Sequence, residues 1–149
     1  DSASVRDSGV AKGIFKRIGK IQDLSEDKMN AATAISGSGP GYYFDEVDSK
    51  LEEYNNNNYK FKKNFIARLK KAAKSLGFAD QKAKFLANWT VVYSDLLLKK
   101  TKLSPGELKK QVTSKGGTTE AALEVLHRGG TLVKAVKAAV KRARELSRR

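Results

Sequence analysis

From Leu132 to Leu146 the apolar residues Leu132, Val133, Val136, Ala139, Val140, Ala143 and Leu146 recur at steps of three and four. That spacing follows the turn of an α-helix and lays an apolar stripe along one face. The same period runs through Phe65, Ile66, Leu69, Ala72, Ala73 and Leu76, and again through Phe85, Leu86, Trp89, Val92, Tyr93, Leu96 and Leu97. No two alternating apolar and polar runs flank a turn, as a β-hairpin would require. The chain is expected to be all-α.

Capping chemistry divides the remaining segments. Val10, Ile14, Phe15 and Ile18 mark a short amphipathic helix over residues 7–18, closed by Gly19, and "KIQDL" after it reads as a brief strand or a linker. In "EDKMNAATAISGSGPGYYF" a short helix should end near Ile35, with Ser38 capping a longer one that carries Pro40 in its first turn. "DEVDSKLEEYNNNNYKFKK" passes from acidic to basic through four asparagines, which are polar and turn-prone; residues 45–63 are expected to form an exposed insertion. Further helices are expected over 64–76, ending at Gly77, and over 80–99. Ser104, Pro105 and Glu107 form the capping-box pattern of another helix start, and a helix over 118–127 is separated from the last one by Gly129 and Gly130.

Composition narrows the chemistry. With 149 residues the chain is most simply one domain, and a helical assembly of that size gains from pairing with a second copy. It has no cysteine and one histidine, His127, so disulfides, thiol catalysis and histidine-rich metal clusters are excluded and no metal ligand is expected. No run approaches the roughly eighteen apolar residues of a membrane span. The start "DSASVRDSG" has neither the layout of a secretion signal nor an initiator methionine, so a cytoplasmic chain that begins inside a longer one is expected. The triplet Asn88, Trp89, Thr90 falls within a helical pattern and is read as helix, not as a glycan site.

The net charge of +14 makes nucleic acid the first macromolecular partner to weigh. The bases fall in runs: Lys60, Lys62, Lys63, Arg68, Lys70, Lys71 and Lys74 in one helix, and Lys134, Lys137, Lys141, Arg142, Arg144, Arg148 and Arg149 in the last. Most lie opposite the apolar stripes, where a solvated face accounts for them. There is no zinc-finger spacing, no basic region leading into heptads and no aromatic-rich strand for stacking on bases. Nucleic acid is expected to bind non-specifically at most, and salt should abolish that binding.

One loop stands apart. "QVTSKGGTTEAALEVL", residues 111–126, sets Thr113, Ser114, Gly116, Gly117, Thr118 and Thr119 ahead of an apolar helical pattern. Backbone N–H groups of Gly116, Gly117, Thr118 and Thr119 at a helix entrance can form a concave donor surface for a phosphate or carboxylate. Serine, threonine and glycine also favour helix starts for capping alone. Local chemistry leaves both readings open.

Four segments in the same order, "NAATAISGSGPGYYF" (30–44), "LGF" (76–78), "SPGELKKQVTSKGGTTEAALEVLHRGG" (104–130) and the closing "AVKAAVKRARELS", resemble the C-terminal domain of pyrroline-5-carboxylate reductase. The resemblance spans roughly residues 8–147. It implies a helical dimerisation domain similar to the 6-phosphogluconate dehydrogenase C-terminal-like fold, in an interlocked homodimer or higher homo-oligomer. Residues 1–24 would be the end of a nucleotide-binding domain plus a linker, and residues 25–149 the helical dimerisation and substrate domain. The family reduces pyrroline-5-carboxylate to proline with NADP or NAD as cofactor, carried on an N-terminal dinucleotide-binding domain.

Carried onto this chain, the resemblance assigns substrate contacts to Val112, Ser114, Gly116, Gly117, Thr118 and Thr119, and a cofactor-facing role to Ser36, Gly37, Ser38, Gly39 and Pro40. Thr119 would be the catalytic position, facing the imine nitrogen; a threonine hydroxyl is too weak an acid to act alone and would orient or relay a proton from water. Positioning would supply rate, and the cofactor the chemistry. Three departures qualify this. No Gly-x-Gly-x-x-Gly follows a strand, so no cofactor is expected on this chain alone. Lys115 replaces the proline usual in that loop. Residues 45–63 look inserted into a helix of the dimer core. Three functions stay in view: a reductase domain, a non-catalytic dimerisation module derived from one, and a basic helical nucleic-acid binder.

Overall fold

The computed structural model describes residues 5–17 and 19–148, and over these every element is helical. α1 is Val5–Phe15; a 3-10 turn, Glu26–Lys28, leads into α2, Met29–Ala32, and a π-helical turn, Thr33–Gly37. There follow α3 (Gly39–Ser49), α4 (Leu51–Asn56), α5 (Asn58–Ser75), α6 (Asp80–Lys100), α7 (Pro105–Gln111), α8 (Thr118–His127) and α9 (Leu132–Leu146). Ile18 and Arg149, used in the sequence patterns, lie outside the described residues, as do residues 1–4. "KIQDL" is an extended connection without a strand.

The core is built around α3. Tyr42, Tyr43 and Phe44 are consecutive and all fully buried, which places apolar surface on every side of that helix and makes it central to the fold. α5 packs along α6, and α8 along α9, while α3 meets α6, α7 and α8. α9 buries Leu132, Ala135, Val136, Ala139, Val140 and Ala143 in the core and turns Lys134, Lys137, Lys141 and Arg144 outward, as its period requires. The capping box at Ser104 forms in full: its hydroxyl accepts from the Glu107 N–H at 3.2 Å, and Glu107 Oε2 accepts from the Ser104 N–H at 2.7 Å.

Three local details go beyond the expectations. Residues 45–63 are largely exposed but not a loop: they are helical apart from breaks at Lys50 and Asn57, and they place Val47, Tyr54 and Phe61 in the core. Val47, Tyr54 and Phe61 recur at steps of seven, two helical turns, among otherwise polar residues. The asparagine tract does break the helix, but Asn57 then caps α5, its Oδ1 accepting from the Lys60 N–H at 2.9 Å. Second, Ser38 makes no capping bond and has helical backbone angles, so the chain passes from the π turn into α3 almost without interruption. Third, α1 forms, yet Val10, Ile14 and Phe15 are more than half exposed and stay out of the core.

Candidate functional site

The two glycine-rich segments meet. Ser38 Oγ lies 2.8 Å from Thr118 Oγ1, joining the entrance of α3 to the entrance of α8 across 80 residues of sequence. Ser38 has helical backbone angles and so does not cap; its hydroxyl meets the second segment instead. Upstream, the π turn is held by the Ser38 N–H donating to Thr33 O at 2.9 Å, and the Tyr42 hydroxyl donates to Ala34 O at 3.1 Å. Single π turns recur at functional sites because they re-aim nearby backbone and side chains. Here the turn carries Ser36 and Gly37 to the surface beside α6.

Close approach demands small residues at this junction. A Cβ on Gly41 would fall well inside van der Waals contact of Thr119 Cγ2 and 3.4 Å from Val112 Cγ2; one on Gly39 would lie 2.7 Å from Thr90 Cγ2. Gly41 is therefore the position that lets α3 touch both proposed substrate residues. Gly41→Ala should lower stability by about 1–2 kcal/mol, an overpacking cost of roughly 1–3 kcal/mol partly offset by better helix propensity. Urea unfolding checks it, and an unchanged midpoint would mean that α3 and α8 do not approach this closely.

The loop before α8 is held rigidly. Gly116 adopts the left-handed backbone conformation, φ +68°, which a side chain would strain. Its N–H donates to Glu120 Oε2 at 2.6 Å and its carbonyl accepts from Arg142 Nε at 2.6 Å, tying the loop to α8 and α9. The Gly117 N–H donates to Ser114 O at 2.9 Å, and Gly117 is buried with no room for a Cβ beside Ser114 Oγ. The amides of Gly116 and Gly117 are thus engaged. Those of Thr118 and Thr119, in the first turn of α8, have no partner among the described residues. Thr119 is buried, Thr118 half-buried, and Ser114 and Lys115 are exposed.

Val112, Ser36 and Pro40 line a groove of about 450 Å³ that runs along α6 past Phe85, Trp89 and Tyr93. Such a volume suits a small ligand or the side chains of another protein surface. The extended segment after α1 closes one end, with Lys20 Nζ 5.2 Å from the centre of the Trp89 ring. Sequence patterning does not single out Gly41 or Glu120, reads Arg142 only as one of the bases of the last helix, and reads Phe85, Trp89 and Tyr93 only as an apolar stripe.

The Ser36 to Pro40 segment is a helical turn leading into α3, not a phosphate-cradling nest. Its Ser38 N–H is consumed by the π turn, and no glycine in it has the positive φ of a phosphate-cradling loop.

A family model described as pyrroline-5-carboxylate reductase dimerisation matches residues 61–146. Among curated proteins, the pyrroline-5-carboxylate reductase of Arabidopsis thaliana is 34% identical over 148 residues, covering 97% of this chain and 47% of that protein. The pyrroline-5-carboxylate reductase of Glycine max is 34% identical over 149 residues, with 98% and 47% covered. Pyrroline-5-carboxylate reductase 2 of Bacillus subtilis is 34% identical over 125 residues, with 83% and 38% covered. The chain spans about half the length of the curated plant relatives it matches. No solved structure matches it significantly.

Proposed function

Because the chain belongs to the pyrroline-5-carboxylate reductase dimerisation family, we propose that it is the dimer-forming and substrate-seating half of such a reductase, which converts pyrroline-5-carboxylate to proline with NAD(P)H. The observation that carries this is the Ser38 to Thr118 contact at 2.8 Å, which unites the two segments the family resemblance assigns to cofactor and substrate. In this proposal the ring carboxylate rests on the free N–H groups of Thr118 and Thr119, aided by the positive end of α8. The engaged amides of Gly116 and Gly117 then act by fixing the loop, and Ser114 by holding Gly117. Val112 would border the ring, in the groove that Ser36 and Pro40 also line.

The dinucleotide would be held by another domain. Redox chemistry is the cofactor's contribution when bound; this chain orients the ring and places the Thr119 hydroxyl near the imine nitrogen, where it relays a proton from water. A second copy of the chain completes the assembly, packed on the apolar face of α6, and the assembly works in the cytoplasm. Among the described residues no helix is long and apolar enough to cross a membrane.

Titration with L-proline tests the seat. At millimolar ligand the amide NMR signals of Thr118 and Thr119 should shift, and those of Lys63 and Lys71 on the outer face of α5 should not. Unmoved Thr118 and Thr119 signals would remove the substrate role and leave a non-catalytic dimerisation module.

A further inference from the structure

A second concavity, of about 550 Å³, lies between the Glu26–Lys28 turn, the end of α5 and the outer face of α9. It shares no lining residue with the groove beside Val112. Five bases border it: Lys28, Lys137, Lys141, Arg144 and Arg148. None of the five makes an ion pair among the described residues, whereas Lys62, Arg68, Lys70 and Lys109 elsewhere each hold a carboxylate. Of the two carboxylates on its border, Asp27 and Glu145, the second is already taken by Arg142 Nη1 at 3.0 Å. Positive charge is in excess.

The floor is apolar, formed by Ala31, Leu76 and Val140. A concave surface of one charge sign over low-dielectric walls focuses the field and concentrates counter-ions. On α9 Lys137, Lys141 and Arg144 succeed one another at steps of four and three, a row along one face about 10 Å long at roughly 1.5 Å rise per residue, and Arg148 follows just past the helix end. A single small anion would satisfy only part of that row. The two arginines add planar donor forks that suit phosphate oxygens. The volume lies in the range of small-molecule clefts, roughly 300–1,000 Å³.

We propose that this groove binds a compact polyphosphate anion, a small ligand carrying two or three phosphate groups. The site is independent of the substrate seat and occupies the face of α9 that would otherwise be only a solvated basic surface.

Calorimetric titration of the chain with inorganic tripolyphosphate at about 0.15 M salt, where exposed charges are screened beyond roughly 8 Å, tests it. The double variant Lys141→Gln with Arg144→Gln should weaken binding at least about tenfold, since it removes two charge-assisted contacts. A control, Lys63→Gln with Lys71→Gln on the exposed face of α5, should leave affinity within about twofold, because those bases lie outside the groove. Asp27→Asn should tighten binding. In the unsubstituted chain, which needs no folding control, tripolyphosphate should shift the amide signals of Asn30 and Ala31. Equal losses in both double variants, or unmoved Asn30 and Ala31 signals, would overturn the proposal. So would binding of short duplex DNA without binding of tripolyphosphate.

Discussion

Replacing Asp95 by alanine is expected to remove about 3 kcal/mol of stability, a large share of the roughly 5–15 kcal/mol available to a domain. Asp95 is 4% exposed on α6 and gathers donors from three other helices as well as its own. Its Oδ1 accepts from the Tyr43 hydroxyl at 3.0 Å and the Tyr54 hydroxyl at 2.7 Å; its Oδ2 meets Lys62 Nζ at 2.9 Å and Lys99 Nζ at 3.0 Å. Alanine would strand two tyrosine hydroxyls in the core, each costing roughly 1–3 kcal/mol when unsatisfied. The lysines reach solvent and add little once released, because partly exposed pairs are worth about 1 kcal/mol or less.

Asp95→Asn separates the two contributions. Its amide oxygen can keep both tyrosine bonds, whereas its NH₂ cannot accept from the lysines, which turn to solvent, so the loss should fall to about 1 kcal/mol, the scale of the ion pairs alone. Equal losses in the two variants would place the stabilisation in the charges and not in the tyrosine bonds. The pH dependence has a definite sign. Burial pushes the Asp95 carboxyl up, but hydrogen bonds from Lys62, Tyr54, Lys99 and Tyr43 outweigh it and hold the group below the usual carboxylate range. A carboxyl depressed in the folded state stabilises above its unfolded value, near 3.9, and loses that contribution as pH falls through the folded one. The gap between wild type and Asp95→Asn should therefore narrow in strong acid. Burial, reinforced by Asp95, raises the Tyr43 and Tyr54 phenols above their ordinary value. Unfolded tyrosines ionise near pH 10 while these resist, so stability should also decline above about that pH.

The Asp95 cluster shows why patterning stops where it does. Period alone placed Leu69, Ala72, Val136 and Val140 in the core, because each follows its own helix's repeat. Asp95 sits in the run "YSDLLLKK", where a charge near lysines reads as a solvated pair; only the tertiary arrival of Tyr43 and Tyr54 makes it interior. Tyr54 in turn was hidden by its polar neighbours, so nothing in residues 45–63 pointed to an interior contact. The junction of Ser38 with Thr118 was legible only as two separate glycine-rich helix entrances. Gly41 left a trace, a helix-disfavouring residue within a helical pattern, whose reason is the methyl of Thr119 on another helix. Arg142 was grouped with the outward bases of α9, although its guanidinium turns back to the Gly116 carbonyl.

Leu96→Glu combined with Leu97→Glu is expected to convert an associated chain to monomer, weakening self-association at least about 100-fold, or roughly 2.7 kcal/mol. The C-terminal half of α6 leaves Val92, Tyr93, Leu96 and Leu97 exposed at 37, 44, 42 and 45%, a cluster of large apolar side chains that α5 does not cover. This stripe is continuous with the groove past Trp89, whose ring stacks on Tyr93 at 5.4 Å between centres. Contiguous apolar surface of this kind marks an association site, and the family model matching this stretch is one of dimerisation. In a two-fold interface each substitution enters twice, so four unpaired carboxylates would be buried or the contact given up. Sedimentation velocity at micromolar concentration distinguishes the outcomes, with far-UV circular dichroism confirming that the variant stays helical. Because both leucines face solvent within one chain, the fold should survive while the assembly does not. A wild-type chain that sediments as a monomer, or a variant that still pairs, would move the interface away from α6 and leave the apolar groove to a ligand instead.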